Sequence, residues 1–337
     1  MTRKRLLVRV DALHALGLAH AVRCANLIQS LPNKPDLVVM GDGPLSDFFP
    51  QAEIIPASGV RPEHLAKHAL VKHFDAVLID HPSFRDEDWT YLASAMPLPL
   101  IVLNDYGGNI QADLIINGTV LPEYHHYPPQ SRSGEILAGA SYAMLHPNFA
   151  QHRWHSETGN TLIIIAGGGK RAKDWVLNLC EYSPIFSEWD DIHVVVGKTF
   201  PELATLRERC RKFNANVFCG ISSTELAAML AESTLALITG GMIVYECLAI
   251  GIPSVVFPQE KNLIAEADFF TRHGCISNLT YSKGMDNANT EMHISALKSD
   301  LNTLKSMSKN GHAIVDGHGM ERAAQAVQTV LVQAEKS

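Results

Sequence analysis

At 337 residues the chain is too long for one ordinary domain and suits two of about 150 residues each. Hydrophobic residues make up 46% and charged residues 19%, which supports buried cores and excludes a disordered chain. A formal net charge of −7 speaks against a general nucleic-acid binder, yet leaves room for an anionic small molecule held at a helix N-terminus.

The opening MTRKRLLVRV is basic, but its apolar run is too short for a signal peptide. No window approaches the roughly 20 apolar residues of a membrane span. The six cysteines (Cys24, Cys180, Cys210, Cys219, Cys247, Cys275) form no CxxC pair, so reduced thiols are expected rather than a zinc site. The expected compartment is therefore the cytoplasm.

In chain order, strands are predicted at Leu6–Val10, Asp36–Met40, Ala76–Ile79, Leu100–Leu103 and Asp113–Ile116, with helices at Ala19–Ser30, His64–Phe74 and Glu87–Ala95. The rhythm resumes with strands at Leu162–Ala166, His193–Val196, Asn216–Phe218, Leu235–Ile238 and Ser254–Phe257. Helices are predicted between them at Asp174–Tyr182, Glu202–Phe213, Ser223–Ala231 and Ile243–Ile250. Apolar strands alternating with helices imply parallel sheets covered on both faces. Two such runs in series read as two Rossmann-like α/β domains, residues 1–150 and 151–337. A hinge is expected in the later part of the His-, Pro- and Ser-rich Leu121–Glu157. The amphipathic Ala323–Val332 is expected to pack back on the first domain.

Three strand ends carry candidate chemistry, because open α/β sheets bind ligands outside the carboxyl ends of their strands. At the first, Asp11 ends a strand, Gly17 opens the turn, and His20 and Arg23 lie one turn apart on the next helix. A histidine near a helix start tends towards the neutral ring that can take a proton from water or an alcohol. By spacing alone, His20 reads first as a helix-surface or packed histidine, and only second as a base. At the second, Gly167, Gly168 and Gly169 follow an apolar strand and let the backbone approach a phosphate, or simply form a pliable turn. The spacing matches neither the Walker loop nor GxGxxG. At the third, Thr239-Gly240-Gly241-Met242-Ile243 opens a helix as a diphosphate site would. Glu246, further into that helix, is positioned for ribose hydroxyls or else is a solvated glutamate. Gln259 and Asn262 add amides at the next strand end.

At these segments the chain resembles the UDP-sugar hydrolases of the pseudaminic acid pathway. The pattern R-x-D…G-x-G-H-x-x-R is similar to Arg9-Val-Asp11 followed by Gly17-Leu-Ala19-His20-Ala-Val-Arg23, with Ala19 where the pattern has glycine. Ile79-Asp80-His81 matches its IDH, and Asn104-Asp105 approximates its DD. Gly139-Ala-Ser-Tyr142-Ala-Met-Leu-His146 and Asp316-Gly-His-Gly319-Met-Glu-Arg322 resemble two further motifs. The second half is also similar to family 28 glycosyltransferases, including the one that adds N-acetylglucosamine in peptidoglycan synthesis. There Glu246 matches a ribose-binding glutamate, Gln259 a glutamine near the donor sugar, and Ile221 a residue whose backbone recognises uracil.

The resemblance implies a GT-B fold, two Rossmann-like domains facing each other across a cleft. It implies His20 as catalytic base with Asp11 as its orienter or charge partner. Gly17, Arg23, Asp80, His81, Asn104, Asp105 and Tyr142 would contact the sugar side in the first domain. The nucleotide would be held in the second. The implied substrate is a UDP-sugar, with no metal, no cofactor and no nucleic acid. Hydrolysis is the leading expectation, in nonulosonic acid or surface-polysaccharide biosynthesis. An inverting glycosyltransferase using the same donor site is the alternative, and with a lipid-linked acceptor it would also touch a membrane peripherally. A non-catalytic nucleotide-sugar binder and a related epimerase are the third class.

Overall fold

Leu6-Leu7-Val8 has no polar alternation, and all three residues are fully buried, as expected of a central parallel strand covered on both faces. The same holds along Val77-Leu78-Ile79 and Leu162-Ile163-Ile164. The computed structural model describes residues 3–13, 18–57, 59, 61–129, 134–155, 159–181, 183–279 and 287–334. The chain divides into two compact units, the first running to Leu145 and resuming at His318, the second covering His146–Gly317. The division thus falls after Leu145 rather than after Ala150. Residues 156–158, in the expected hinge, lie outside the described residues.

The first unit holds β1 (Arg5–Val10), α1 (Ala19–Ser30), β2 (Asp36–Met40), β3 (Glu53–Ile55), α2 (Pro62–Val71), β4 (Ala76–Asp80), α3 (Asp86–Ala95), β5 (Leu100–Leu103), β6 (Leu114–Asn117) and β7 (Glu135–Ala138). Its sheet runs β3-β2-β1-β4-β5-β6-β7, with every recorded pairing parallel. The chain winds outward from β1 in one direction and from β4 in the other, so the topological switch lies between them.

The second unit holds α4 (Asn148–Gln151), β8 (Thr161–Ala166), α5 (Lys170–Leu179), β9 (Asp191–Val196), α6 (Leu203–Cys210), β10 (Asn216–Cys219), α7 (Ser223–Glu232), β11 (Leu235–Ile238), α8 (Met242–Ile250), β12 (Ser254–Val256), α9 (Lys261–Arg272), β13 (Ser277–Asn278), α10 (Asn287–Ser299) and α11 (Leu301–Ile314). Its parallel sheet, β10-β9-β8-β11-β12-β13, switches between β8 and β11.

The last helix, α12 (Gly319–Gln333), belongs to the first unit. Its stripe of Met320, Ala323, Ala324, Val327 and Leu331 is buried in one core with Ala21, Cys24, Leu27 and Ile28 of α1. Close approach at its start depends on a missing side chain. A Cβ on Gly319 would stand 2.2 Å from the carbonyl oxygen of Ala143. The motif around Gly319 therefore seats a helix, and Arg322 donates to the Ser141 carbonyl beside it at 2.9 Å.

Several elements were not expected. β3 and β7 are short sheet edges, and Glu135 and Ile136 of β7 are exposed, so neither forms the continuous apolar run of a buried strand. α11 mixes Ser, Asn and Lys with few apolar residues and carries Gly311 on its buried side, where it packs on Leu248 of α8. Its helicity is supported by tertiary packing more than by propensity.

Candidate active site and nucleotide pocket

In the first unit the polar residues gather at the switch between β1 and β4. Register pairs Val10 with Asp80 and Asp80 with Leu103, so the ends of β1, β4 and β5 are level. Asp11, His81 and Asn104 are each the next residue along. His20 is the second residue of α1, and Arg23 follows one turn later on the same face.

Asp80 is the centre of this cluster. Its Oδ1 lies 2.7 Å from His20 Nδ1 and accepts from Arg23 Nη2 at 2.6 Å, while its Oδ2 accepts from Arg23 Nε at 2.8 Å. Arg23 reaches on to Asp105, donating through Nη1 at 2.6 Å and Nη2 at 3.1 Å. Burial by itself would raise the Asp80 carboxyl, but the charge of Arg23 and the bond from His20 outweigh it and hold the carboxyl at about 2. An ionised carboxylate only accepts, so the proton of the 2.7 Å contact is the Nδ1–H of His20. In the neutral ring Nε2 then carries the lone pair, and it has no hydrogen-bond partner among the described residues. This is the arrangement of a general base whose tautomer is fixed by a carboxylate.

Asp11 was expected to orient His20, and the structure corrects this. Asp11 accepts from both guanidinium nitrogens of buried Arg9 and from the amide of Asp42 at 2.9 Å. His81 Nδ1 accepts from the Ser83 amide at 3.2 Å, which leaves Nε2 to donate to Asp11 at 2.7 Å. Burial pushes the Asp11 carboxyl up, but the bonds from His81 and Arg9 prevail and hold it well below the usual carboxylate range. The physical reason is directional: Asp11 already receives donors from Arg9, His81 and Asp42, whereas Asp80 faces α1. Asp80, expected as a sugar contact, is therefore the orienter of His20.

A cavity of about 120 Å³ opens beside His20, lined by Asp80, His81, Asn104 and Asp105 with Phe84, Trp89 and Tyr106 among its other walls. Asn104 uses its side-chain oxygen to hold the local loop, accepting from the amides of Tyr106 and Gly107 and from the Tyr127 hydroxyl at 2.9 Å. That hydroxyl in turn accepts from Asn117, and burial pushes it up to about 12. Of the other expected sugar contacts, Arg23 is committed to two carboxylates, and Tyr142 packs on the core without lining this cavity. Gly17 lies outside the described residues.

In the second unit a cavity of about 560 Å³ spans the ends of β8, β9, β10 and β11. That is ample for a nucleotide, since small-molecule sites run to about 300–1,000 Å³. Gly167, Ile221, Thr239, Gly240, Ile243 and Glu246 line it, as expected. Gly168, Gly169, Gly241, Met242 and Gln259 do not. Gly168 instead fits against Thr199, where a Cβ would meet the hydroxyl oxygen at 2.3 Å. Gln259 bonds back to the Phe257 carbonyl at 2.7 Å. Asn262 lies within α9, and its side chain is outside the described residues.

Gly240 and Gly241, at φ 95° and 84°, turn the chain from β11 into α8, a conformation that residues with a Cβ rarely adopt. No side chain caps α8, whereas Ser222 caps α7 by accepting from the Glu225 amide. The Val244 amide bonds back to the Gly241 carbonyl at 2.9 Å, so the Met242 and Ile243 amides at the start of α8 are the ones without a cap, a geometry suited to an anion. Glu246, one turn further, has no hydrogen-bond partner among the described residues, and burial pushes its carboxyl up to about 8. Sequence reading missed Lys198, which also lines the cavity. It follows Gly197 at the end of β9, so the strand-end logic that singled out Gly167 and Gly240 applied to it as well.

Among the described residues, no group of three or more His, Cys, Asp or Glu could hold a metal ion, and no helix is long and apolar enough to cross a membrane. No family model matches the chain. It is 22% identical over 334 residues to the spore coat polysaccharide biosynthesis protein SpsG of Bacillus subtilis (strain 168), covering 96% of this chain and 97% of that one. Among solved structures it is similar to MurG of Acinetobacter baumannii, with a TM-score of 0.66, 12% identity and coverage of 97% and 99%. The calicheamicin glycosyltransferase CalG4 aligns with a TM-score of 0.65, 14% identity and 99% coverage of each chain. MnaA of S. aureus, solved with UDP, aligns with a TM-score of 0.60, 14% identity and coverage of 98% and 97%. The fold is GT-B.

Proposed function

We propose that the chain cleaves a UDP-sugar, with water as the leading acceptor of the sugar. The observation that carries this reading is the His20–Asp80 pair beside a cavity, with Nε2 of His20 unpartnered among the described residues. In the proposed reaction a water oxygen attacks the anomeric carbon and gives its proton to His20 Nε2. The bond from that carbon to the phosphate oxygen breaks, and its electron pair leaves with UDP. The α8 amides stabilise the departing diphosphate, and Glu246 accepts from the ribose hydroxyls. The scheme uses neither metal nor cofactor. The choice of UDP is supported by the MnaA structure, which holds UDP, and by Glu246 in the larger cavity, which has no hydrogen-bond partner among the described residues.

Transfer to a sugar or polysaccharide acceptor is the second reading. It uses the same residues, with an acceptor hydroxyl in place of water, and is favoured by the likeness to CalG4 and to a polysaccharide biosynthesis protein. A fold hosts both chemistries, so the test is kinetic. UDP release is measured from a panel of UDP-sugars with and without candidate acceptors. Hydrolysis gives UDP at the same rate in both arms, and transfer gives it only with acceptor. No UDP release in either arm across the panel refutes both.

A further inference from the structure

We propose that Lys198 reads the nucleobase, selecting one with a carbonyl oxygen on the edge farthest from the ribose, as uracil has, over one with an amino group there, as cytosine has. The proposal rests on the reading of the larger cavity as a nucleotide site.

Of the residues lining that cavity, Lys198 and Glu246 are the two with an ionisable side chain. The sheet order sets them on opposite sides. Lys198 follows β9, next to the edge strand β10, whereas Glu246 stands on α8, beyond β11. A diphosphate at the uncapped start of α8 and a ribose at Glu246 direct the base away from α8. It then enters the β9–β10 side, between Ile165, Val195, Ile221 and Leu226, an apolar slot suited to a flat ring.

Lys198 stands at that far side. Its ammonium has no hydrogen bond or ion pair among the described residues, and its stem is backed by Gly220, where a Cβ would meet Lys198 Cβ at 3.1 Å. Gly220 has a φ of 66°, so its backbone takes this course without strain and leaves the lysine stem its place. An ammonium has three N–H donors and no acceptor. It bonds a carbonyl at position 4 of a pyrimidine and repels an amino group there, which presents only donors. Discrimination thus comes from an attractive contact with one base and an unsatisfied one with the other.

The test is calorimetry on the full chain with UDP and CDP, comparing wild type with Lys198→Met, which keeps the stem and removes the charge. Wild type should prefer UDP. Lys198→Met should weaken UDP about tenfold or more and leave CDP unchanged or tighter, so that the preference collapses. CDP binding that is retained also reports that the variant is folded. Equal loss for both nucleotides makes Lys198 a phosphate contact and overturns the inference, as does no change for either or equal affinities in wild type. A Glu246→Ala variant separates the two readings. If wild type and Glu246→Ala bind UDP and CDP alike, the nucleotide site itself is refuted.

Discussion

Asp80 Oδ1 lies 2.7 Å from His20 Nδ1 and 2.6 Å from Arg23 Nη2, so one carboxylate oxygen aligns the imidazole while the guanidinium keeps it ionised. Arg23 is itself tied to Asp105 from β5 onward. The ring of His20 is thereby fixed through two carboxylates on neighbouring strand ends.

Replacing His20 should remove the base and spare the nucleotide. General-base catalysis contributes about 10²–10⁴-fold, so His20→Ala should lower turnover at least about a hundredfold on any UDP-sugar that wild type cleaves. UDP affinity by calorimetry should be unchanged, because His20 and the nucleotide pocket belong to different units. Turnover equal to wild type would remove His20 from the chemistry.

Asp80→Asn should approach the loss seen in His20→Ala, since an amide there no longer holds the Nδ1–H tautomer in place. Asp11→Asn, one strand away and bonded to His81 and Arg9, should cost activity less. Steady-state rates of the two variants side by side decide between Asp80 and Asp11 as the orienter. A larger loss for Asp11→Asn would restore Asp11 to that role.

The same carboxylates set the acid limit of stability. Asp80 is held at about 2 in the folded chain and titrates near 3.8 when unfolded, so its contribution is present above about pH 4 and is lost as pH falls towards 2. Asp11, also depressed, acts in the same direction. Asp80 alone should account for about 2 kcal/mol over that window. Urea midpoints from pH 5 to 2.5 should fall steeply for wild type and less steeply for Asp80→Asn.

Much of this was legible in the sequence. Continuous apolar runs such as Leu235–Ile238 have one stable use in an α/β chain, and the strands formed where periodicity placed them. His20, Glu246 and Gly240 follow strand ends and were found by that rule. The partner of His20 was not legible, because Asp11 and Asp80 both end strands, and only the side of the sheet that α1 covers separates them. The edge strands β3 and β7 escaped because three or four half-exposed residues carry too little pattern. Gly319 stood out only as part of a family motif, and its contact with Ala143 is a matter of packing that spacing does not encode.

Gly319→Ala should therefore act on stability. The added methyl meets the Ala143 carbonyl oxygen at 2.2 Å, a backbone atom with little freedom to move. Overpacking of this kind costs about 1–3 kcal/mol. The urea midpoint should drop accordingly, while UDP affinity, carried by the other unit, should not change. An unaltered midpoint would mean that α12 is free to shift along α1.

Glu246 should give the proposed nucleotide site a pH signature. Burial holds its carboxyl at about 8, so below that pH it is mostly protonated. Two ribose hydroxyls donating to it require the carboxylate, and binding must then release the proton. Affinity for a UDP-sugar such as UDP-N-acetylglucosamine should therefore rise with pH, by up to about tenfold per unit below pH 8, and level off above it. The diphosphate of a nucleotide sugar is already ionised across this range, so it adds no slope of its own. Glu246→Gln should remove the dependence, and Glu246→Ala should weaken binding by roughly 1–3 kcal/mol at pH 8.5, as for a lost hydrogen bond to a charged group. Calorimetry in two buffers of different ionisation enthalpy reads the proton release directly. The folded chain should also lose stability relative to its unfolded state as pH rises from about 4.5 to 8, the opposite slope to that of Asp80, because here the folded pKa lies above the unfolded one. A pH-independent affinity in wild type, with no proton released, would show that Glu246 does not receive the ribose.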